Sequence, residues 1–170
     1  KRLKRDLYCS WRFIMLSIIK SYMKAPKTPC IGICSTTSLG DPVCRGCRRF
    51  SFEVIKWNSY GPQEKKAVLK RIEKLVSQIF ENKFHIQSEK TLQLELKRLN
   101  VPFDPELSPY CWLHNLFKKR KDLIQNLSEY GVSVHKEFSE VPFDQLIADV
   151  DSELQILSSA HLQRYFKVPS

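Results

Sequence analysis

Four of the six cysteines fall within eighteen residues, spaced Cys30-x3-Cys34-x9-Cys44-x2-Cys47. No other feature restricts the chain so tightly. Two close pairs, each on one tight turn and joined by a short link, can close a four-thiolate shell around zinc. The same shell suits an iron–sulfur cluster. Gly32 and Gly46 let backbone N–H groups approach sulfur, and Asp41-Pro42 turns the link. Arg45, Arg48 and Arg49 lie beside the second pair, where positive charge offsets the thiolates. The competing readings are weaker. A disulfide pair needs an oxidising compartment. A thioredoxin-type motif needs one pair beside a strand–helix unit. Four unrelated buried cysteines would not cluster this way. Cys30, Cys34, Cys44 and Cys47 are therefore the expected metal ligands, with zinc and an iron–sulfur cluster close to even. The link is shorter than in common zinc ribbons, and the first pair has three spacers where a knuckle usually has two.

The charge is uneven. The formal net charge of the 170 residues is +10, divided as +7 over 1–27, +5 over 28–83 and −2 over 84–170. A basic total points to polyanionic partners, but here most of it sits at the N-terminus. The chain starts at a Lys, and Met15 and Met23 are both natural starts, so residues 1–22 read as upstream sequence or as a helix. Leu7, Trp11, Ile14, Ile18 and Tyr22 recur at helical spacing among Lys and Arg, a pattern that also suits a membrane surface. A secretory leader fits poorly because Arg12 interrupts the apolar run. That run, Phe13–Ile19, is too short to span a bilayer.

Periodicity supplies the rest of the expected architecture. "SFEVIKW" reads as a short helix capped by Ser51 that buries Phe52, Ile55 and Trp57. A helix follows over Pro62–Phe80, with Val68, Ile72, Leu75, Val76 and Ile79 as its stripe. Residues 81–87 read as a junction. The "SEKTLQLELKRLN" stretch fits either period, and its Gln, Glu, Lys and Leu content favours helix. Ser108-Pro109 open a long helix running to Gly131, "VSVHKEF" is a short strand or connector, and Pro142 opens a last helix. "VPFD" occurs at 101–104 and 141–144, an echo too short to be a repeat. The expected fold is mainly α: a small irregular four-cysteine metal knot followed by helices and a helical C-terminal module. The expected division is a basic and apolar N-terminal segment (1–23), a four-cysteine domain (24–83) and a helical module (84–170).

"PCIGIC", "CRGCRR", a Trp ten residues after Cys47 and "EKKAVLKRI" together resemble the YdhL-like family of small bacterial proteins, the domain of unknown function 1289, whose members carry the description of predicted iron–sulfur proteins. The resemblance covers about Thr28 to Leu75. It implies that Cys30, Cys34, Cys44 and Cys47 are metal ligands and that Trp57 packs nearby. It names no reaction. Tyr60 stands where the family has an aliphatic residue or Met, and Gly61-Pro62 replaces a more ordinary cap.

Outside the quartet, chemistry is sparse. His85, His114, His135 and His161 show no ligand spacing, and His114 reads as a core or boundary histidine. Cys9 and Cys111 are singletons, Cys111 a small buried hydrophobe. Asp149, Asp151 and Glu153 spread round their helix. No phosphate loop or nucleophile motif is present. Two basic runs, Lys65, Lys66, Lys70 and Arg71, and Lys118, Lys119, Arg120 and Lys121, read as solvated faces or as contacts for a protein or RNA partner. The functional expectation is a cytoplasmic four-cysteine metal protein acting as a non-enzymatic binding or adaptor module. The alternative is an iron–sulfur protein in electron transfer or redox sensing. An enzyme with its site in residues 84–170 ranks last.

Overall fold

Helix α3 (Pro62–Glu81) is the element on which the rest of the molecule is assembled. Pro62 occupies its first turn, where a missing N–H costs nothing, and the Glu64 carboxylate accepts the Gly61 N–H at 2.7 Å. The structure, a computed structural model, describes residues 28–166. The expectations for residues 1–23, Cys9 included, lie outside the described residues. The other elements are α1 (Ser35–Leu39), α2 (Ser51–Lys56), α4 (Glu89–Arg98), α5 (Pro109–Arg120), α6 (Phe143–Tyr165), β1 (Phe84–Ile86) and β2 (Val132–Val134). The fold is mainly α, and the described residues contain one two-stranded sheet.

The core follows from the apolar stripes. Leu75, Val76, Ile79 and Phe80 of α3 meet Leu113, Leu116 and Phe117 of α5 and Leu146, Val150 and Leu154 of α6. Leu92 and Leu96 close the cluster from α4, whose N-cap Ser88 accepts the Thr91 N–H. Leu94 is exposed, as the helical rather than the alternating pattern requires. The same apolar cluster thus runs from α3 through α6.

Strands β1 and β2 pair antiparallel, with Phe84 opposite Val134 and Ile86 opposite Val132. The pairing joins the end of α3 to the far side of α5. Gly131 makes it possible: at φ +68 it accepts the N–H groups of Gln87 and Ser88 through its carbonyl. A Cβ there would stand 2.8 Å from the Ser88 carbonyl oxygen, so glycine is required on both conformational and steric grounds.

Three expectations are corrected. Ser51 is the first helical residue of α2, and Phe50 stands at its N-cap. Ile55 is 76% exposed, because α2 buries its Glu53 and Trp57 side instead. The long helix from Ser108 to Gly131 stops at Arg120, and 3-10 turns follow at Lys121–Leu123 and Leu127–Tyr130. Asn126 accepts the Ser128 N–H with its side chain, a local bond that competes with helical pairing. The break turns Ile124 and Tyr130 into the core while Leu123 stays exposed.

Candidate metal centre

Residues 28–50 fold by local polar bonds more than by apolar burial. Cys34 is extended at the start of α1, and its carbonyl accepts from the Ser38 N–H and hydroxyl and from the Thr37 hydroxyl. The buried Ser35 hydroxyl accepts the Arg45 N–H at 2.9 Å, tying the first cysteine pair to the second. The second pair lies on a tight turn. Arg48 N–H donates to the Cys44 carbonyl and Cys44 N–H to the Arg49 carbonyl, each at 2.8 Å. Arg48 adopts φ +59 to close this turn, a conformation that L residues other than Asn and Asp seldom take. Gly46 leaves room for the first loop to lie on the turn: a Cβ on it would meet the Ile31 side chain at 2.9 Å and the Ile33 carbonyl at 3.2 Å.

Donors surround the sulfurs. Gly32 N–H donates to Cys30 Sγ at 3.4 Å, and Arg49 Nε donates to Cys47 Sγ at 3.3 Å. Burial pushes the Cys44 thiol up, but the N–H groups of Cys47, Gly46 and Ser35 and the Cys47 thiol outweigh it and bring Cys44 down to about 6. These donors favour the Cys44 thiolate. Burial dominates at Cys47 and pushes its thiol up, against the opposing pull of Arg49. Trp57 joins the site through Arg49, whose guanidinium lies 4.7 Å from the indole centroid.

Gly32 N–H at Cys30, backbone N–H groups at Cys44 and Arg49 at Cys47 are donors of the kind a thiolate ligand uses. The structure brings Cys44 and Cys47 together as a buried pair. It leaves Cys30 exposed and Cys34 half-buried at the lip. Among the described residues, no three Cys, His, Asp or Glu side chains converge as a group that could hold a metal ion.

The helical body grips the second cysteine turn from outside. Lys118 Nζ of α5 donates to the Gly46 carbonyl at 2.5 Å. Gln155 of α6 donates to the Val43 carbonyl at 3.1 Å and accepts from Arg48 Nη1. Arg48, only 1% exposed, also pairs with Asp151. On the α3 side, Arg71 pairs with Glu53 at 2.7 Å, and its guanidinium lies 3.8 Å from the Phe50 ring centroid. Glu53 also accepts the Phe50 N–H at 2.8 Å. Burial pushes the Glu53 carboxyl up, and Arg71 opposes that rise. Leu162 of α6 completes a small apolar cluster with Val43 and Phe50.

Residues 28–75 match the model of a family described as protein of unknown function (DUF1289). The DUF1289 segment thus holds all four clustered cysteines, α1, α2 and most of α3. No curated protein and no solved structure matches the chain.

Two members of the basic runs serve the fold: Arg71 pairs with Glu53, and Lys118 donates to the Gly46 carbonyl. Lys70, Lys119, Arg120 and Lys121 are exposed. His114 is held neutral by burial and by the charges of Lys118 and Arg48. Burial pushes the Cys111 thiol up to about 12, which leaves it a packing group. Among the described residues, no helix is long and apolar enough to cross a membrane. Sequence reasoning missed the roles of Glu53, Arg48 and Gln155. For Glu53 a signal existed, since an acidic residue three places after a helix N-cap commonly returns to the N-cap amide.

Proposed function

We propose that the DUF1289 segment is a four-cysteine metal-binding module with Cys30, Cys34, Cys44 and Cys47 as ligands. On this reading the chain is a non-enzymatic binding or adaptor protein of the cytoplasm, where thiols stay reduced. The supporting observation is the set of N–H donors on Cys30, Cys44 and Cys47 within one short segment. Such donors stabilise thiolates, the form that binds a metal. The proposal requires Cys30 and Cys34 to close on the Cys44–Cys47 pair when metal binds. The bound metal would supply cross-linking energy to a segment that buries few apolar side chains. Arg48, Lys118 and Gln155 would hold the stapled turn against α5 and α6. The exposed Ile31, Ile33 and Leu39 then offer a partner an apolar lip beside the metal.

Exposure of Cys30 favours a second reading, an iron–sulfur protein in electron transfer. A cluster with one ligand at the surface lies within reach of a redox partner, and four thiolates suit it as well as zinc.

Cobalt(II) titration of the reduced, metal-free full chain tests the module. Thiolate-to-cobalt absorption should saturate at one equivalent and weaken in both Cys30→Ser and Cys44→Ser. Absorption that Cys30→Ser leaves unchanged would reduce the site to the Cys44–Cys47 pair and overturn the four-ligand reading.

A further inference from the structure

A cavity of about 170 Å³ opens between α5 and α6, outside the cysteine knot. Phe80, Phe117, Ile147 and Val150 form its apolar walls. His114, Lys118, Lys121 and Asp151 complete its lining. An apolar cavity of about 150 Å³ accepts a benzene-sized molecule, so the walls suit a single ring or a short branched chain.

The polar lining groups include two lysines and one carboxylate. Arg48 stands near enough for its charge to act on both His114 and Lys118. Its side chain is 1% exposed, and its Nε has no hydrogen-bond partner among the described residues. Lys118 and Lys121 line the cavity with one carboxylate, Asp151, which is already paired with Arg48. Asp151 pairs with Arg48 with 58% of its side chain exposed. Asp144 lies 3.7 Å from Lys121 and is 88% exposed. Solvent screens carboxylates so placed, so they offset the crowded cations only in part. Neutral His114 adds a ring that can donate one N–H without adding charge.

We infer that this cavity binds a small organic carboxylate with an apolar body, its anionic end among Lys118, Lys121 and His114 and its body against Phe80, Phe117 and Val150. A pocket with apolar walls and a few convergent polar groups is the usual form of a small-molecule site. The inference is independent of the metal reading, although Lys118 touches both sites.

The test is an NMR titration of the full chain with sodium benzoate, benzamide and inorganic phosphate. Benzoate should bind saturably, shifting the Val150 and Ile147 methyl signals and the His114 ring signals. Benzamide should bind at least tenfold more weakly, and phosphate should leave the methyl signals in place. Lys121→Gln, at an exposed position, should weaken benzoate threefold or more without changing benzamide. Equal binding of benzoate and benzamide would reduce the cavity to an apolar cleft. Tighter binding of phosphate would make it a bare anion site. No saturation at the solubility limit of benzoate would mean no site. Each of these three results overturns the inference.

Discussion

The body of the molecule and its cysteine knot are held by different forces. Nineteen buried side chains, from Leu75 to Leu154, form one continuous apolar cluster in the body. The knot contributes Val43 and Phe50 to a cluster completed by Leu162. At about 25 cal/mol per Å² of apolar surface buried, only the body can offset the entropy of ordering its backbone. The knot relies on hydrogen bonds, the Glu53–Arg71 pair and the grip of α5 and α6, while Ile31, Ile33 and Leu39 stay in water. On the proposed reading, a metal would complete this segment of little burial and four clustered thiols.

The contrast can be broken most forcefully by removing the proposed metal. Chelation of the full chain should cut amide exchange protection over residues 28–50 by a hundredfold or more, and leave α5 protection nearly unchanged. Equal loss in both regions would show that the knot and body unfold as one unit.

Phe84→Ala should act in the opposite sense. Phe84 is fully buried between Phe80 and Phe117, and its truncation should cost about 3–5 kcal/mol in denaturant unfolding. The loss should be the same with and without metal. A metal-dependent loss would place part of the body's stability in the knot.

Gln155→Ala probes the joint between the two. It removes the bonds to Val43 and Arg48 and should cost about 1–2 kcal/mol. Its second effect should be faster exchange in residues 42–48. Unchanged exchange there would mean that α6 does not restrain the turn.

The smallest effect belongs to pH. Partial enclosure and the nearby Arg48 charge push Lys118 from 10.5 down to about 8, with Asp151, Cys47 and Cys44 opposing. Between these values the unfolded chain binds more protons, so Lys118 adds stability as pH rises from 8 to 10.5. Much of the residue is exposed, and screening holds the gain below about 1 kcal/mol. Wild type and Lys118→Met should differ in slope over this range in urea unfolding, and parallel slopes would remove Lys118 from the joint.

The sequence made the body more legible than the knot's surroundings. The stripes of α3 and α6 repeat at helical spacing, so their cores could be read directly: Leu75, Val76 and Ile79, then Leu146, Val150 and Leu154. The α5 boundary could not, because Ile124, Leu127 and Tyr130 fit a continuing helix until the side chain of Asn126 competes for the backbone. The β1–β2 pairing joins residues almost fifty positions apart, and three-residue strands carry no period of their own. Around the cysteines, their spacing marked the ligand candidates, and the DUF1289 resemblance added Trp57. It did not mark Arg48 among its neighbouring arginines, or Gln155 in a polar stretch of α6, because their roles arise from packing between distant segments.

The most direct test is a metal, iron and sulfide count with an absorption spectrum, on full-chain protein purified without oxygen. About one zinc per chain without colour, or iron with matching sulfide and broad visible absorption, is the predicted result. The first would make the quartet a structural staple, and the second would make it an electron-transfer centre. Metal-free protein with all four thiols titrating as free would contradict the account.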